Sequence, residues 1–218
     1  MFYNADCNFI ILLSQNDLNY IDFYDTIHLL FYTKGEIMSV NINNNIFLGR
    51  PADKRTTIEE LTYDFLDSHN IQFCRTDHSS ADTIEDCKLI EKVINAKICK
   101  NLFLKNSAKT QYYLLLMDGD KKFDSKVISH QIESTRLSFA DEEDMLSYLK
   151  TQPGSVSILC LINDSSNKIK LLIDSDLLEH DYFCCHPCKN TSTLKFTTND
   201  IINKFLPSVN HEFTIVKI

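Results

Sequence analysis

Apolar positions along this chain change period several times, and each change marks an element. From Thr57 they recur at helical spacing: Ile58, Leu61, Phe65 and Leu66 share one face, Thr56 or Thr57 caps the start, and Glu59 and Glu60 sit in the first turn. Residues 71–76 read as a short strand. Asp82 or Thr83 caps a second helix, with Ile84, Cys87, Ile90 and Ile94 inward. Strand patterns follow at 97–105 and 111–117, joined by a polar turn at 106–110 and closed by Asp118-Gly119-Asp120. A helix over 124–132 leads to a short strand at 136–139. Asp141-Glu142-Glu143-Asp144 opens another helix that runs through Leu149, with its acids at the positive end. Gln152-Pro153-Gly154 stops it. Strands at 156–162 and 168–173 form a predicted hairpin around residues 163–167. Strands near 182–185 and 193–196, a helix over 197–205 and a strand at 213–217 complete the pattern. Helices and strands alternate without a sustained βαβ period, which predicts an α+β fold with a central mixed sheet.

Composition narrows the class. The chain has 218 residues, 44% of them hydrophobic, with only four Gly and four Pro, which predicts one folded domain rather than disorder. The longest apolar runs, 9–13 and 112–117, are too short to cross a bilayer. The start, Met-Phe-Tyr-Asn-Ala-Asp, has no basic segment before an apolar one, so a soluble cytoplasmic protein without membrane partners is expected. Scattered cysteines such as Cys7, Cys74, Cys87, Cys99 and Cys160 read as small core side chains in a reducing compartment. Residues 1–50 are Asn-rich, and the first 37 carry no assignable function.

The net charge of −8 argues against sequence-blind nucleic-acid binding. It is uneven, however. Residues 88–136 hold ten Lys or Arg against five acids, so they carry +5 while the rest carries −13. That segment is either a set of solvated lysines or one local basic surface that accepts an RNA end.

Three polar interruptions fall inside strand-like stretches. In Lys97–Leu104 the even positions share a face, which puts Lys100 beside Ile98, Leu102 and Leu104. An ammonium on an apolar face is either at a sheet edge or held for a purpose. Asn101 points to the other face of a regular strand. Pro153-Gly154-Ser155-Val156-Ser157 is either a plain helix stop or a turn in which Gly154 exposes the 154–156 amides to a carbonyl turning negative. Cys184-Cys185-His186-Pro187-Cys188-Lys189-Asn190 contains a formal CxxC at Cys185 and Cys188. A redox motif needs a helix after it, and 191–196 reads as strand; zinc usually takes a second cysteine pair, which the chain lacks. No nucleophile elbow, HExxH or P-loop is present.

In order and spacing, these segments resemble the YbaK/ProX family of trans-acting aminoacyl-tRNA editing deacylases, most of all its free-standing ProX (PrdX-like) branch. That branch is related to the editing domain inserted in bacterial prolyl-tRNA synthetase. The resemblance spans residues 46–218 and includes Phe47-Leu48-Gly49-Arg50-Pro51-Ala52-Asp53 and Arg136-Leu137-Ser138-Phe139-Ala140. Residues 1–45 then form an N-terminal extension. Many members have Pro at the position of Ile158. The resemblance implies a curled central sheet with flanking helices and a hydrolase without cofactor or metal. Its substrate would be mischarged tRNA(Pro), foremost Ala-tRNA(Pro), held by its 3′ aminoacyl-adenosine end. Lys100 would anchor the ester, and the Gly154, Ser155 and Val156 amides would hold the oxyanion. Asn101, His186 and Asn190 would line the amino-acid pocket, and Arg136 would contact the tRNA end. Prolyl-tRNA synthetase or an elongation factor would be a further partner. A deacylase for Cys- or Ser-tRNA and a non-catalytic aminoacyl-tRNA binder are the alternatives.

Overall fold

The Tyr-Tyr-Leu-Leu-Leu-Met run from Tyr112 is buried along both faces, as a strand covered on both sides requires. The computed structural model describes residues 40–218 in full, together with the backbone of two short paired strands, β1 (Phe31–Thr33) and β2 (Glu36–Met38). Most of the expected extension over 1–45 therefore lies outside the described residues, as do the apolar stretch 9–13 and Cys7.

The elements follow as β3 (Phe47–Leu48), α1 (Thr57–Ser68), β4 (Cys74–Asp77), α2 (Ile84–Ile94), β5 (Cys99–Asn106), β6 (Tyr112–Asp118), α3 (Ser125–Gln131) and β7 (Leu137–Phe139). After them come α4 (Glu142–Asp144), which continues as a wider π-turn through Met145–Leu149, and a 3-10 turn at Ile158–Asn163. β8 (Ile169–Asp174), β9 (Tyr182–Cys185), β10 (Ser192–Thr197), a helical stretch from Thr198 to Ser208 and β11 (Phe213–Val216) close the chain.

The architecture is α+β. One sheet is antiparallel, in the order β3-β4-β10-β9. The other is mixed, in the order β11-β8-β6-β5-β7, with β6, β8 and β11 parallel. A parallel bridge between Ile98 and Cys184 links the start of β5 to β9, and so joins the two sheets.

Alternation along β6 splits the core. Leu114 and Leu116 enter the larger cluster with Phe103, Phe196 and Phe205, while Leu115 and Met117 enter a smaller one with Leu104 and Ile128 under α3. A third cluster packs Ile90 and Ile94 of α2 against Ile98 and Cys184 at the bridge. Helix starts are fixed locally: Thr56 with Glu59, Thr83 with Asp86 and Asp141 with Asp144 close capping boxes. Among the described residues no helix is long and apolar enough to cross a membrane.

Four expectations are corrected. The hairpin over 156–173 does not form. Ser157 caps a 3-10 turn whose residues Ile158–Leu161 are all buried, and β8 pairs in parallel with β6. A run buried on all sides carries no period, so strand and tight helix look alike in sequence. On α1, Leu61 is 55% exposed, while Glu59, Thr62, Tyr63 and Leu66 face inward, Tyr63 stacking on Phe73. Ile84, at the first position of α2, is likewise turned to solvent. The strand expected at 71–76 is β4, displaced to Cys74–Asp77.

Candidate active site

Two of the polar interruptions clamp each other. Gly154 adopts φ +81°, a left-handed conformation that side chains resist. The Ser155 amide closes this turn by donating to the Gln152 carbonyl at 3.0 Å. Of the three amides expected to be free, those of Gly154 and Val156 donate to no group among the described residues, whereas that of Ser155 is spent. Ser155 Oγ accepts the Asn190 amide at 3.2 Å, and Thr151 Oγ1 donates to the Cys188 carbonyl at 3.1 Å. The 151–156 turn and the 186–190 loop thus form one body.

Asn190 extends the clamp to a segment that sequence reasoning did not single out. Its Nδ2 donates to the Ala81 carbonyl at 2.8 Å, and its Oδ1 accepts the Ala81 amide at 3.3 Å. The His78 amide donates to the Thr191 carbonyl at 3.0 Å. Asn190 is buried and its amide is engaged at both ends, so it braces the wall at 78–82 instead of presenting a free group. That wall, Ser-Ser-Ala between a strand and a cap, has no polarity signal of its own. Only the Thr83 cap after it could have drawn attention to it.

Lys100 stands across from this wall. A cavity of about 210 Å³ separates them, with Ala81, Ile84, Cys87 and Ile98 as apolar walls and Asp82, Lys88, Glu91, Lys100 and Asp120 as charged ones. Lys100 Nζ donates to the Lys121 carbonyl at 2.8 Å, and among the described residues no carboxylate pairs with it. The turn carrying Lys121 lies close because Gly119 lacks a side chain: a Cβ there would come 3.0 Å from the Ile98 carbonyl.

Asn101 is on the other face. The register of β5 with β6 is unbroken from Cys99 opposite Asp118 to Lys105 opposite Tyr112, so no bulge turns it toward Lys100. Its Nδ2 donates to the Cys99 carbonyl at 3.1 Å, and its Oδ1 is buried without a partner among the described residues.

His186 follows β9, which leaves the Ile98–Cys184 bridge in the same direction as the strand bearing Lys100. Its Nδ1 lies 2.9 Å from the Ser192 carbonyl. A carbonyl only accepts, so Nδ1 carries the proton and Nε2 keeps a lone pair. Burial lowers the imidazole pKa, favouring the neutral ring. His78 lies edge-on with ring centroids 6.0 Å apart, and burial pushes it down to about 4. It donates from Nδ1 to the Ser79 carbonyl and accepts the Thr193 hydroxyl at Nε2. Among the described residues the site therefore contains neutral imidazoles, and neither His78 nor His186 pairs with a carboxylate.

Arg136 is not part of this cluster. It is exposed just before β7, whose Leu137 pairs with Asn106, six residues along β5 from Lys100. At ~3.3 Å per residue that places it about 20 Å away. It lines an open groove with Lys126 and Phe123 beside α3. The basic segment is also less free than its count suggests, because Lys88, Lys97, Lys105 and Lys121 are all paired with carboxylates. Burial raises the Cys185 thiol well above its usual range, which opposes a redox role for that cysteine of the CxxC. Among the described residues no three His, Cys, Asp or Glu side chains gather as a metal site.

A model of the aminoacyl-tRNA editing domain matches residues 78–204, beginning at the wall that Asn190 braces. The prolyl-tRNA editing protein ProX of Acetoanaerobium sticklandii is 31% identical over 153 residues, which cover 70% of this chain and 93% of that protein. The mouse prolyl-tRNA synthetase associated domain-containing protein 1 is 30% identical over 140 residues, covering 62% of this chain and 82% of its own. A crystal structure described as a candidate trans-editing enzyme for prolyl tRNA synthetase superposes with a TM-score of 0.56. It is 13% identical, and the match covers 76% of this chain and 99% of that one.

Proposed function

The chain belongs to the aminoacyl-tRNA editing domain family and is a hydrolase of aminoacyl-tRNA esters, and we propose that it removes alanine from tRNA(Pro), acting in trans in the cytoplasm. The observation that carries this reading is the 210 Å³ cavity between Lys100 and the 81–87 wall. Liquid water takes ~30 Å³ per molecule, so the space suits a small aminoacyl group. Prolyl-tRNA synthetase needs such help. A side chain smaller by one methylene loses only about 1–3 kcal/mol in its synthetic site, and a second, tighter site restores accuracy.

In this reading the Lys100 ammonium, with N–H groups to spare beyond its bond to Lys121, anchors the ester end of the substrate. Water adds to the ester carbonyl carbon, and the Gly154 and Val156 amides stabilise the oxygen as it becomes negative. The bond from that carbon to the ribose oxygen then breaks. The proton lost by water reaches the leaving oxygen through the neighbouring ribose hydroxyl, leaving free amino acid and tRNA. An aminoacyl ester is already activated, so positioning and charge stabilisation suffice without a strong base. Asn190 braces the pocket. His186, which keeps a lone pair on Nε2, is assigned to the amino-acid pocket, while Arg136 and the α3 groove receive more distant parts of the tRNA. Residues 46–218 act as the deacylase domain, with prolyl-tRNA synthetase as the source of the mischarged substrate.

The test is deacylation of a panel of Ala-, Pro-, Cys- and Ser-charged tRNA(Pro) by the purified chain. Faster release of alanine than of proline, cysteine or serine supports the reading. Preferential release of cysteine or serine reassigns the substrate, and binding without turnover replaces the enzyme with a binder.

A further inference from the structure

We propose that Asp174, at the end of β8, is a positioning residue that sets the Lys100 ammonium through Lys121. The inference rests on the reading of Lys100 as the substrate anchor.

Lys121 connects the two. Its backbone carbonyl accepts from Lys100 Nζ at 2.8 Å. Its side chain reaches back across the sheet to Asp174, 2.9 Å from Oδ1 and 2.7 Å from Oδ2, and to Asp176 at 2.8 Å. The two carboxylates differ. Asp176 is half exposed, whereas the Asp174 side chain is 0% exposed, so its charge depends on this one ammonium. An exposed ion pair drifts among rotamers, while a buried one has a single geometry to return to.

The turn between them has little slack. The Lys121 amide donates to the Asp118 carbonyl at 3.2 Å, and the Asp120 amide to Asp118 Oδ1 at 2.8 Å. Gly119 sits against the Ile98 carbonyl on the strand that bears Lys100. A shift of the Lys121 side chain therefore moves its carbonyl, and the carbonyl is the only group among the described residues that holds Lys100 Nζ. Asp174 belongs to β8 and Lys100 to β5, with β6 between them. The charge on one strand fixes the ammonium two strands away.

The closing experiment pairs kinetics with lysine-ammonium NMR on the whole chain. Asp174→Asn keeps the shape and removes the charge. Expected are a fall of about 10- to 100-fold in kcat/KM for Ala-tRNA(Pro) and loss of the ordered Lys100 Nζ–H signal, assigned with Lys100→Arg. In a Lys100→Ala background the same change is expected to have no further effect on the residual rate. If Asp174→Asn does not fold, Lys121→Met with Asp174→Leu replaces the pair by an apolar contact and is measured identically. An unchanged Lys100 signal, or an equal rate loss in the Lys100→Ala background, overturns the proposal. If no charged tRNA is hydrolysed by the unmodified chain, the functional reading fails, and the NMR arm still decides the positioning claim.

Discussion

Two lysines five residues apart on β5 meet opposite fates. Lys105, 7% exposed, is held by Asp141 and Asp144, each at 2.6 Å, with Tyr112 donating to the second acid at 2.7 Å. The pair raises the Lys105 pKa and pulls Asp141 down to about 2. Lys100 is only half buried and has a backbone carbonyl for company. A carbonyl orients an ammonium without neutralising it, so Lys100 keeps a charge to offer a ligand while Lys105 is spent on the fold. Within one strand, ion pairing separates the two lysines: among the described residues Lys105 contacts two carboxylates and Lys100 contacts none.

Removing each lysine breaks the comparison most directly. Lys100→Ala is expected to lower deacylation by at least about 100-fold, the scale of one lost transition-state contact, with Tm nearly unchanged. Lys105→Ala is expected to lower Tm clearly while the folded fraction keeps its rate. Deacylation assays and thermal unfolding on both variants decide it; a reversed pattern assigns the roles the other way.

Acid separates the site from the structural pair next. His78 is neutral in the fold, its pKa held near 4 by burial, while the unfolded chain protonates it near 6.5. Between those values the unfolded state binds the extra proton, so stability is full above pH 6.5, falls as pH drops to 4 and is flat below. The contribution is at most about 3 kcal/mol. Asp141 titrates later: its stabilising pairing with Lys105 is present above 3.8 and is lost as pH falls toward 2. Denaturant unfolding across pH 4–7 should show the first slope, and His78→Gln should flatten it. A slope unchanged by that substitution removes His78 as its source.

What the sequence could and could not disclose follows the same logic. β5, β6 and the capped starts of α1 and α2 were legible because their signals are local: apolar runs, a polar turn, and Thr before a helix. The difference between Lys100 and Lys105 was not. It depends on Asp141 and Asp144, 36 and 39 residues further along the chain. The wall at 78–82 escaped notice for the same reason, since Asn190 gives it meaning from 109 residues away. Arg136 shows the same limit from the other side: the resemblance gives it the tRNA end, and only strand pairing shows that it sits at the far end of β5 from Lys100.

Gly154, in the turn that Asn190 clamps, offers a smaller perturbation. A Cβ there would meet only Asn190 Nδ2, at an ordinary 4.0 Å, so space is not the obstacle. Its φ of +81° is, and Gly154→Ala should cost about 1–2 kcal/mol in backbone strain. If the turn keeps its shape, Tm falls and the turnover rate holds. If it relaxes, kcat falls with little change in KM, because the two free amides move away from the developing oxyanion. Unchanged Tm and unchanged kcat together would show that this turn tolerates a side chain and does not fix the amides.

The mildest change tests the cavity alone. Cys87 lies on the wall opposite Lys100, partly buried, with burial raising its thiol pKa, so it serves there as an apolar surface. Cys87→Ala enlarges the space by one sulfur atom and should let prolyl-tRNA in, narrowing the preference for alanine over proline by about tenfold, the scale of one methylene. Cys87→Leu fills the same volume and should slow alanine release while leaving the Lys100 ammonium signal in place. Measured side by side, the ratio of alanine to proline release must move in one variant and the alanine rate in the other. If both stay fixed, the acyl group is not read in this cavity, and Lys100 must hold its substrate from another side.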